Sequence, residues 1–138
     1  MHDVNLFVYA HRPESPRHAA HRAWLAEVLG GIEPVGISEL VLSGFLRIVT
    51  NHRVYRESQL RARVLRGGPA RTGVRSGTSE FRHWPIVSDL CRRLGARADV
   101  VPDAYHAALA IEHSATWITT DRGFGRFPGL RWSTPLDG

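Results

Sequence analysis

The feature that most constrains the fold is the alternation of short apolar runs with longer segments of helical periodicity. The sequences VGIS (residues 35–38) and ATWIT (residues 115–119) are typical of short buried strands, whereas residues 18–29 and 39–51 have the spacing and length of helices. Hairpin signals such as Asn-Gly do not connect the apolar runs. This pattern predicts right-handed βαβ crossovers, and therefore an α/β fold whose parallel sheet is covered by helices on both faces.

The remaining elements fit the same scheme, with one exception. A helix is predicted within residues 82–97, where Gly95 can end it, and another over residues 103–113, followed by a last short strand at LRW (residues 130–132). The exception is the segment of about residues 57–80, which is rich in glycine and arginine. We expect this segment to be irregular, with at most a short helix.

Length and composition indicate one ordinary globular domain over residues 1–138. Hydrophobic residues make up 43% of the chain and charged residues 22%, which argues against disorder along most of its length. Cys91 is the single cysteine, so an internal disulfide is excluded. The sequence lacks an apolar stretch long enough to span a membrane and a basic-then-apolar start, so we expect a cytoplasmic protein.

The charge of the chain favours a polyanionic or acidic partner. The formal net charge is +5, and all 18 basic residues are arginine. Arginine holds phosphate in a bidentate manner better than lysine does. Basicity of this kind is compatible with nucleic acid or an acidic protein and distinguishes neither.

Four acidic residues lie at the edges of predicted core elements: Asp3, Glu39, Asp103 and Asp121. If the sheet is parallel, the carboxyl ends of its strands share one edge, and Glu39 and Asp121 converge there. Carboxylates held close together repel one another unless a hard cation such as Mg²⁺ or Mn²⁺ binds between them. The pattern thus predicts a metal site that could activate water for attack on a phosphodiester.

Each of these residues also has an ordinary structural interpretation. Asp103 could be a helix N-cap, Asp121 a turn residue, and Glu39 a partner of the helix macrodipole. Asp3, two residues from the first residue of the chain, could be frayed. Taken one at a time, these interpretations are at least as good as the functional one, and only the coincidence at one predicted sheet edge favours a metal site.

The sequences DVNLFVYAHR, PVGISELVLSGFLRIVTNHRVY and VPDAYHAALAIEHSATWITTDRGF occur in an order and spacing that resemble the PIN-domain ribonucleases of the VapC toxin type. The resemblance covers residues 3–56 and 82–135. It implies a three-layer α/β/α sandwich with a central parallel sheet, and an acidic cluster that binds Mg²⁺ or Mn²⁺ for RNA hydrolysis. It also implies a VapB-type antitoxin as partner and a homodimer.

By this resemblance, Asp3 and Asp103 are the chief metal ligands, and Asp121 completes the site or holds its water. Glu39 is assigned as a fourth ligand, although the family's second acidic residue commonly lies deeper in the helix, near Leu42 and Gly44 of this chain. The two groups expected to orient carboxylates or phosphate are Asn5 and Thr119, and Arg47 is expected to contact substrate phosphate.

The resemblance therefore predicts a metal-dependent endoribonuclease toxin that leaves a 3′-hydroxyl and a 5′-phosphate. A different class of protein is an alternative: a degenerate PIN-like module that binds RNA or antitoxin without cleaving. The family usually has a full strand before the residue that matches Asp3, where this chain has only Met1 and His2, and a truncated strand could loosen Asp3.

Overall fold

The computed structural model describes residues 1–49, the backbone of residues 74–77, and residues 82–95 and 97–136. The elements in chain order are α1 (Val4–His11), α2 (His18–Gly30), β1 (Val35–Ser38), α3 (Glu39–Val49), β2 (Val74–Gly77), α4 (His83–Leu94), α5 (Val100–Glu112), β3 (Trp117–Ile118), a short 3₁₀ helix (Arg122–Arg126) and β4 (Trp132–Ser133).

The chain divides into two compact units. One unit contains residues 2–76, and the other contains Met1 together with residues 77–138. That residues 1–138 form one domain stays a prediction.

In the first unit, α1 packs against α2 and α3. Helix α1 begins after Asp3, which has extended backbone angles and accepts a hydrogen bond from the backbone N–H of Asn5 through Oδ1 at 3.4 Å. Leu6, Val8 and Ala10 are buried, and because Val8 projects from the side of the helix opposite Leu6 and Ala10, α1 is buried on more than one side. The apolar run that follows Asp3 is therefore a helix with an acidic cap.

Strand β1 leads directly into α3, and Ser38 forms the junction. Its Oγ accepts a hydrogen bond from the backbone N–H of Val41 at 3.2 Å, as an N-cap does, which the sequence predicts. Val35 and Ile37 are buried, and β2 pairs with β1. The interpretation of residues 57–80 as irregular is wrong at Val74–Gly77, which form β2; the rest of that segment lies outside the described residues.

The start of the chain is held in place. The backbone N–H of His2 donates to the carbonyl oxygen of Gly36 in β1 at 3.1 Å, so His2 extends the pairing of this strand. His2 and Asp3 are each only 7% exposed. This backbone hydrogen bond and the burial do not fit the frayed or loosened Asp3 considered from the sequence.

In the second unit, α4 packs against α5, and β3 pairs with β4 in parallel, with Trp117 opposite Trp132. The backbone N–H of Ile118 also donates to the carbonyl oxygen of Met1 at 2.7 Å. Small residues line the buried side of α5 and allow close packing: Ala104, Ala107, Ala108 and Ala110 are all fully buried. The predicted α/β class and the predicted parallel pairing are both confirmed.

The predicted helices are found with small changes at their ends. Gly95 follows α4 with φ of 67°, a left-handed conformation that favours glycine, so its predicted role as a helix stop is confirmed. Helix α5 begins at Val100, three residues earlier than predicted, and its N-cap position is Asp99. The interpretation of Asp103 as an N-cap is therefore wrong, since Asp103 lies inside the first turn.

Burial makes protonation unfavourable for two histidines. The ring of His2 lies against the rings of Phe7 and Trp24, at centroid distances of 6.4 and 5.6 Å, and burial lowers its pKa to about 4. Between α4 and α5, His83 Nδ1 lies 3.5 Å from Glu112 Oε2. Burial lowers the pKa of His83, and the Glu112 carboxylate opposes that shift.

We expect the stability of the protein to fall as the pH is lowered from about 6.5 to about 4. In this pH window His2 is protonated in the unfolded chain but stays neutral in the folded chain. Its contribution to the free energy of unfolding, which is complete above the ordinary histidine pKa, is therefore lost as the pH falls. The difference between 6.5 and about 4 corresponds to about 3 kcal/mol. Urea denaturation at several pH values measures this loss, and His2→Gln should flatten the dependence while the exposed-site variant His113→Gln should not. Equal slopes in natural protein and His2→Gln would contradict the assignment.

Among the described residues, none of the helices is both long and apolar enough to cross a lipid bilayer.

Candidate functional site

The residues assigned from the sequence are distributed over both units. The unit of residues 2–76 contains Asp3, Asn5, Glu39 and Arg47, and the other unit contains Asp103, Thr119 and Asp121. The geometry of each group is described within its own unit. The predicted convergence of Glu39 with Asp121 stays a prediction.

Asp3 is the buried carboxylate of the first unit. It lies at the start of α1, where its Oδ1 accepts from the backbone N–H of Asn5. The positive end of the helix dipole favours a negative charge at this place. Burial and the cap contact hold the Asp3 carboxylate in a defined orientation, as a metal ligand requires.

Glu39 and Arg47 lie on α3 and are both exposed. Glu39 is the first residue of the helix, so the macrodipole interpretation fits its position. Arg47 lies in the last turn, about 12 Å further along the helix axis at 1.5 Å per residue. The two side chains therefore start from opposite ends of α3, and a common role needs the long arginine side chain to extend back toward Glu39.

Asp103 lies in the first turn of α5 and has an arginine as its partner. Arg126 Nη2 lies 2.6 Å from Asp103 Oδ2, with 37% and 30% of the respective side chains exposed. Since a guanidinium is protonated at any ordinary pH, this contact is a charge-assisted hydrogen bond. The Asp103 carboxylate thus binds the positively charged guanidinium of Arg126 at a position that solvent can reach.

Thr119 and Asp121 are joined at the carboxyl end of β3. Thr119 is fully buried, and its Oγ1 accepts from the backbone N–H of Asp121 at 3.0 Å. Asp121 Oδ1 accepts from the backbone N–H of Gly123 at 2.7 Å and caps the 3₁₀ helix. A Cβ at Gly123 would lie 2.9 Å from Asp121 Oδ1, so a larger residue there would displace the Asp121 carboxylate from this cap. The turn interpretation of Asp121 is therefore correct, and Thr119 orients the backbone that carries it.

Arg126 is the residue of this region that sequence reasoning missed. It lies 23 positions after Asp103 in a chain with many arginines, and its spacing carries no signal. Its guanidinium carbon also lies 5.1 Å from the centroid of the Phe127 ring, within cation–π range. Only the tertiary structure distinguishes Arg126 from the other arginines.

The donor chemistry of the assigned residues suits a hard divalent cation. All four acidic candidates supply carboxylate oxygens, which Mg²⁺ and Mn²⁺ prefer over nitrogen or sulfur. Asp103 already attracts a cation in the form of Arg126. Within the described residues, however, acidic, histidine and cysteine side chains do not form a group of three that could hold an ion. The ligand types fit the metal, and a complete ligand set stays a prediction.

Comparison with known proteins adds independent evidence on the fold and the family. A family model described as the PIN domain matches residues 1–130. Ribonuclease VapC43 of Mycobacterium tuberculosis (strain H37Rv) is 41% identical over a 142-residue alignment that covers 99% of this chain and 95% of that protein. Ribonuclease VapC25 of the same strain is 32% identical and covers 96% of both chains.

Two solved structures are similar in fold. The crystal structure of VapBC2 from Rickettsia felis bound to a promoter DNA fragment matches with a TM-score of 0.65 at 19% identity, over 97% of this chain and 96% of that chain. The structure of FitAB bound to the IR36 DNA fragment matches with a TM-score of 0.60 at 20% identity, over 97% and 93%. At this level of identity the likeness concerns the fold, and it confirms the predicted PIN-like α/β class.

Proposed function

The chain belongs to the PIN-domain family, among the VapC ribonucleases, and from this membership we propose that it is an endoribonuclease toxin that hydrolyses RNA phosphodiesters. The observation that carries the proposal is the 41% identity to VapC43 over 99% of this chain. Identity at that level over the full alignment makes a shared reaction the simplest expectation. Hydrolysis by this enzyme leaves a 3′-hydroxyl and a 5′-phosphate and forms no covalent intermediate.

The reaction depends on Mg²⁺ or Mn²⁺ held by Asp3, Asp103, Asp121 and Glu39. When bound, such an ion lowers the pKa of a coordinated water and offsets the charge that develops on the phosphate. Asp3 contributes a carboxylate that is buried and capped, and Asp103 one that solvent can reach.

Neighbouring residues orient the site. Asn5 contacts Asp3 through its backbone N–H, and Thr119 accepts from the backbone N–H of Asp121, so each holds one acidic residue in place. Arg47 contacts the phosphate backbone of the RNA. The net charge of +5 raises the local concentration of a polyanionic substrate.

A VapB-type antitoxin neutralises the enzyme, and the chain forms a homodimer. The solved structure of VapBC2 bound to a fragment of its promoter, which this chain matches in fold, supports a partner of this kind here. Because a bound antitoxin would block the enzyme, the isolated chain is the form in which cleavage is tested.

A second function has one observation in its favour. The carboxylate of Asp103 is already paired with Arg126. A degenerate PIN-like module that binds RNA or antitoxin without cleaving would have no need of a metal. Divalent-metal binding separates this alternative from the ribonuclease.

The direct test is cleavage of a panel of structured RNAs by the purified chain, with Mn²⁺ and with excess chelator. We expect defined fragments with 5′-phosphates in Mn²⁺ alone, since in the proposed reaction water attacks the phosphorus and the 3′-oxygen leaves. If correctly folded protein cleaves nothing and takes up no Mn²⁺ by calorimetry, the binding-only module is the better description.

A further inference from the structure

Arg126 is placed so that it competes with a divalent ion for Asp103. Its Nη2 lies 2.6 Å from Oδ2 of Asp103, one of the two carboxylate oxygens through which Asp103 could bind a metal. Both residues belong to the unit of Met1 and residues 77–138, so one compact unit contains the whole pair. The two residues are 23 positions apart, and folding brings them together.

An aromatic residue packs against the guanidinium of Arg126 and helps to hold it in position. Arg126 is the last residue of the 3₁₀ helix, and its guanidinium carbon lies 5.1 Å from the centroid of the Phe127 ring. Phe127 is 3% exposed and packs on Phe124, with ring centroids 5.7 Å apart. The core therefore fixes the ring on which Arg126 rests, and the arginine is held near Asp103.

The pair is also easy to separate. The two side chains are 37% and 30% exposed, so water screens their attraction and solvates both groups once they part. A divalent ion carries twice the charge of a guanidinium in a smaller volume and binds carboxylate oxygen directly. A divalent ion can therefore displace the guanidinium of Arg126 from the Asp103 carboxylate.

We propose that Arg126 is an internal counter-ion of Asp103, which neutralises the carboxylate in the metal-free protein and is displaced when the divalent ion binds. Arg126 is then a positioning residue that weakens metal affinity, because its displacement is part of the binding reaction. This inference rests on the proposed function, in which Asp103 is a metal ligand. It goes beyond that function by assigning the control of metal affinity to a residue outside the ligand set.

The test is a calorimetric titration of the full chain with Mn²⁺ in natural protein, Arg126→Gln and Arg126→Lys. We expect Arg126→Gln to bind Mn²⁺ about two- to fivefold more tightly, the range that corresponds to an exposed ion pair. Arg126→Lys keeps the positive charge and should restore most of the natural Kd. Circular dichroism and urea denaturation show that each variant is folded.

A matched control comes from an arginine in a similar pair elsewhere. Arg93 Nε lies 2.7 Å from Asp89 Oδ2 on α4, and both side chains are exposed. Arg93→Gln removes the same charge, so its Mn²⁺ Kd separates a specific effect at Asp103 from a general change in net charge. We expect it to match natural protein.

The possible outcomes are distinct. An Mn²⁺ Kd in Arg126→Gln equal to or weaker than that of natural protein overturns the counter-ion role and leaves the ribonuclease proposal standing. Equal tightening in Arg126→Gln and Arg93→Gln overturns it as well, because the effect is then one of net charge. If natural protein and all variants fail to bind Mn²⁺, the metal-dependent function itself is overturned, and the inference falls with it.

Discussion

Asp103→Asn should reduce Mn²⁺-dependent RNA cleavage by more than about 100-fold, because changes in groups that merely support a metal ligand already cost about 10- to 100-fold. The amide keeps the size of the side chain and removes the charge that binds the ion. Cleavage rates at saturating Mn²⁺ and the Mn²⁺ Kd from calorimetry together measure the effect. We expect the cleavage rate to fall and the Mn²⁺ Kd to rise, because Asp103 is a metal ligand in the proposed site.

The variant should fold normally, which makes the loss interpretable. The Asp103 side chain is 30% exposed, and its pair with Arg126 is worth at most about 1 kcal/mol at such a site. Asp89→Asn is the matched control, because it also removes an exposed carboxylate that pairs with an arginine. Full activity in Asp103→Asn, or an equal loss in Asp89→Asn, would remove Asp103 from the metal site.

Trp117→Ala should lower the free energy of unfolding by about 3–5 kcal/mol, the usual range for removing a large buried aromatic side chain. Trp117 is fully buried in β3. Its ring stacks on His106 at a centroid distance of 5.2 Å and contacts Phe124 at 5.5 Å. The cavity left by alanine would remove both contacts, and urea denaturation measures the loss.

Trp84 provides the control for this prediction. It lies on α4 with 65% of its surface exposed, so Trp84→Ala should change stability by less than about 0.5 kcal/mol. Trp117→Phe should cost less than alanine because it keeps one aromatic ring and removes a buried indole N–H that lacks a hydrogen-bond partner among the described residues. Similar losses in Trp84→Ala and Trp117→Ala would contradict the buried role of Trp117.

Several elements could be predicted because their signals are local. Ser38 is followed by a residue pattern of helical periodicity, and its hydroxyl reaches the backbone N–H three residues later. Gly95 ends α4 because a left-handed residue is needed there and glycine adopts it without strain. These features depend on neighbours within one or two turns, so the sequence is sufficient.

Other features could not be predicted because longer contacts decide them. Helix α5 starts before Asp103, so that residue does not take the N-cap role considered from the sequence. Residues 74–77 form a strand although their surroundings are rich in glycine and arginine, because β1 supplies backbone partners. Pairing of this kind overrides local propensity.

The sequence by itself determined the α/β class, the positions of most helices and the family, because periodicity, caps and motif spacing depend on adjacent residues. It also named the acidic candidates, whose role as metal ligands stays a prediction. The tertiary structure decided the surroundings of those residues. In that structure Asp3 is buried, Asp103 is accessible to solvent, and Arg126 contacts the Asp103 carboxylate. A contact between residues 23 positions apart depends on how elements pack, and one arginine among many acquires its role only when folding brings it to a carboxylate.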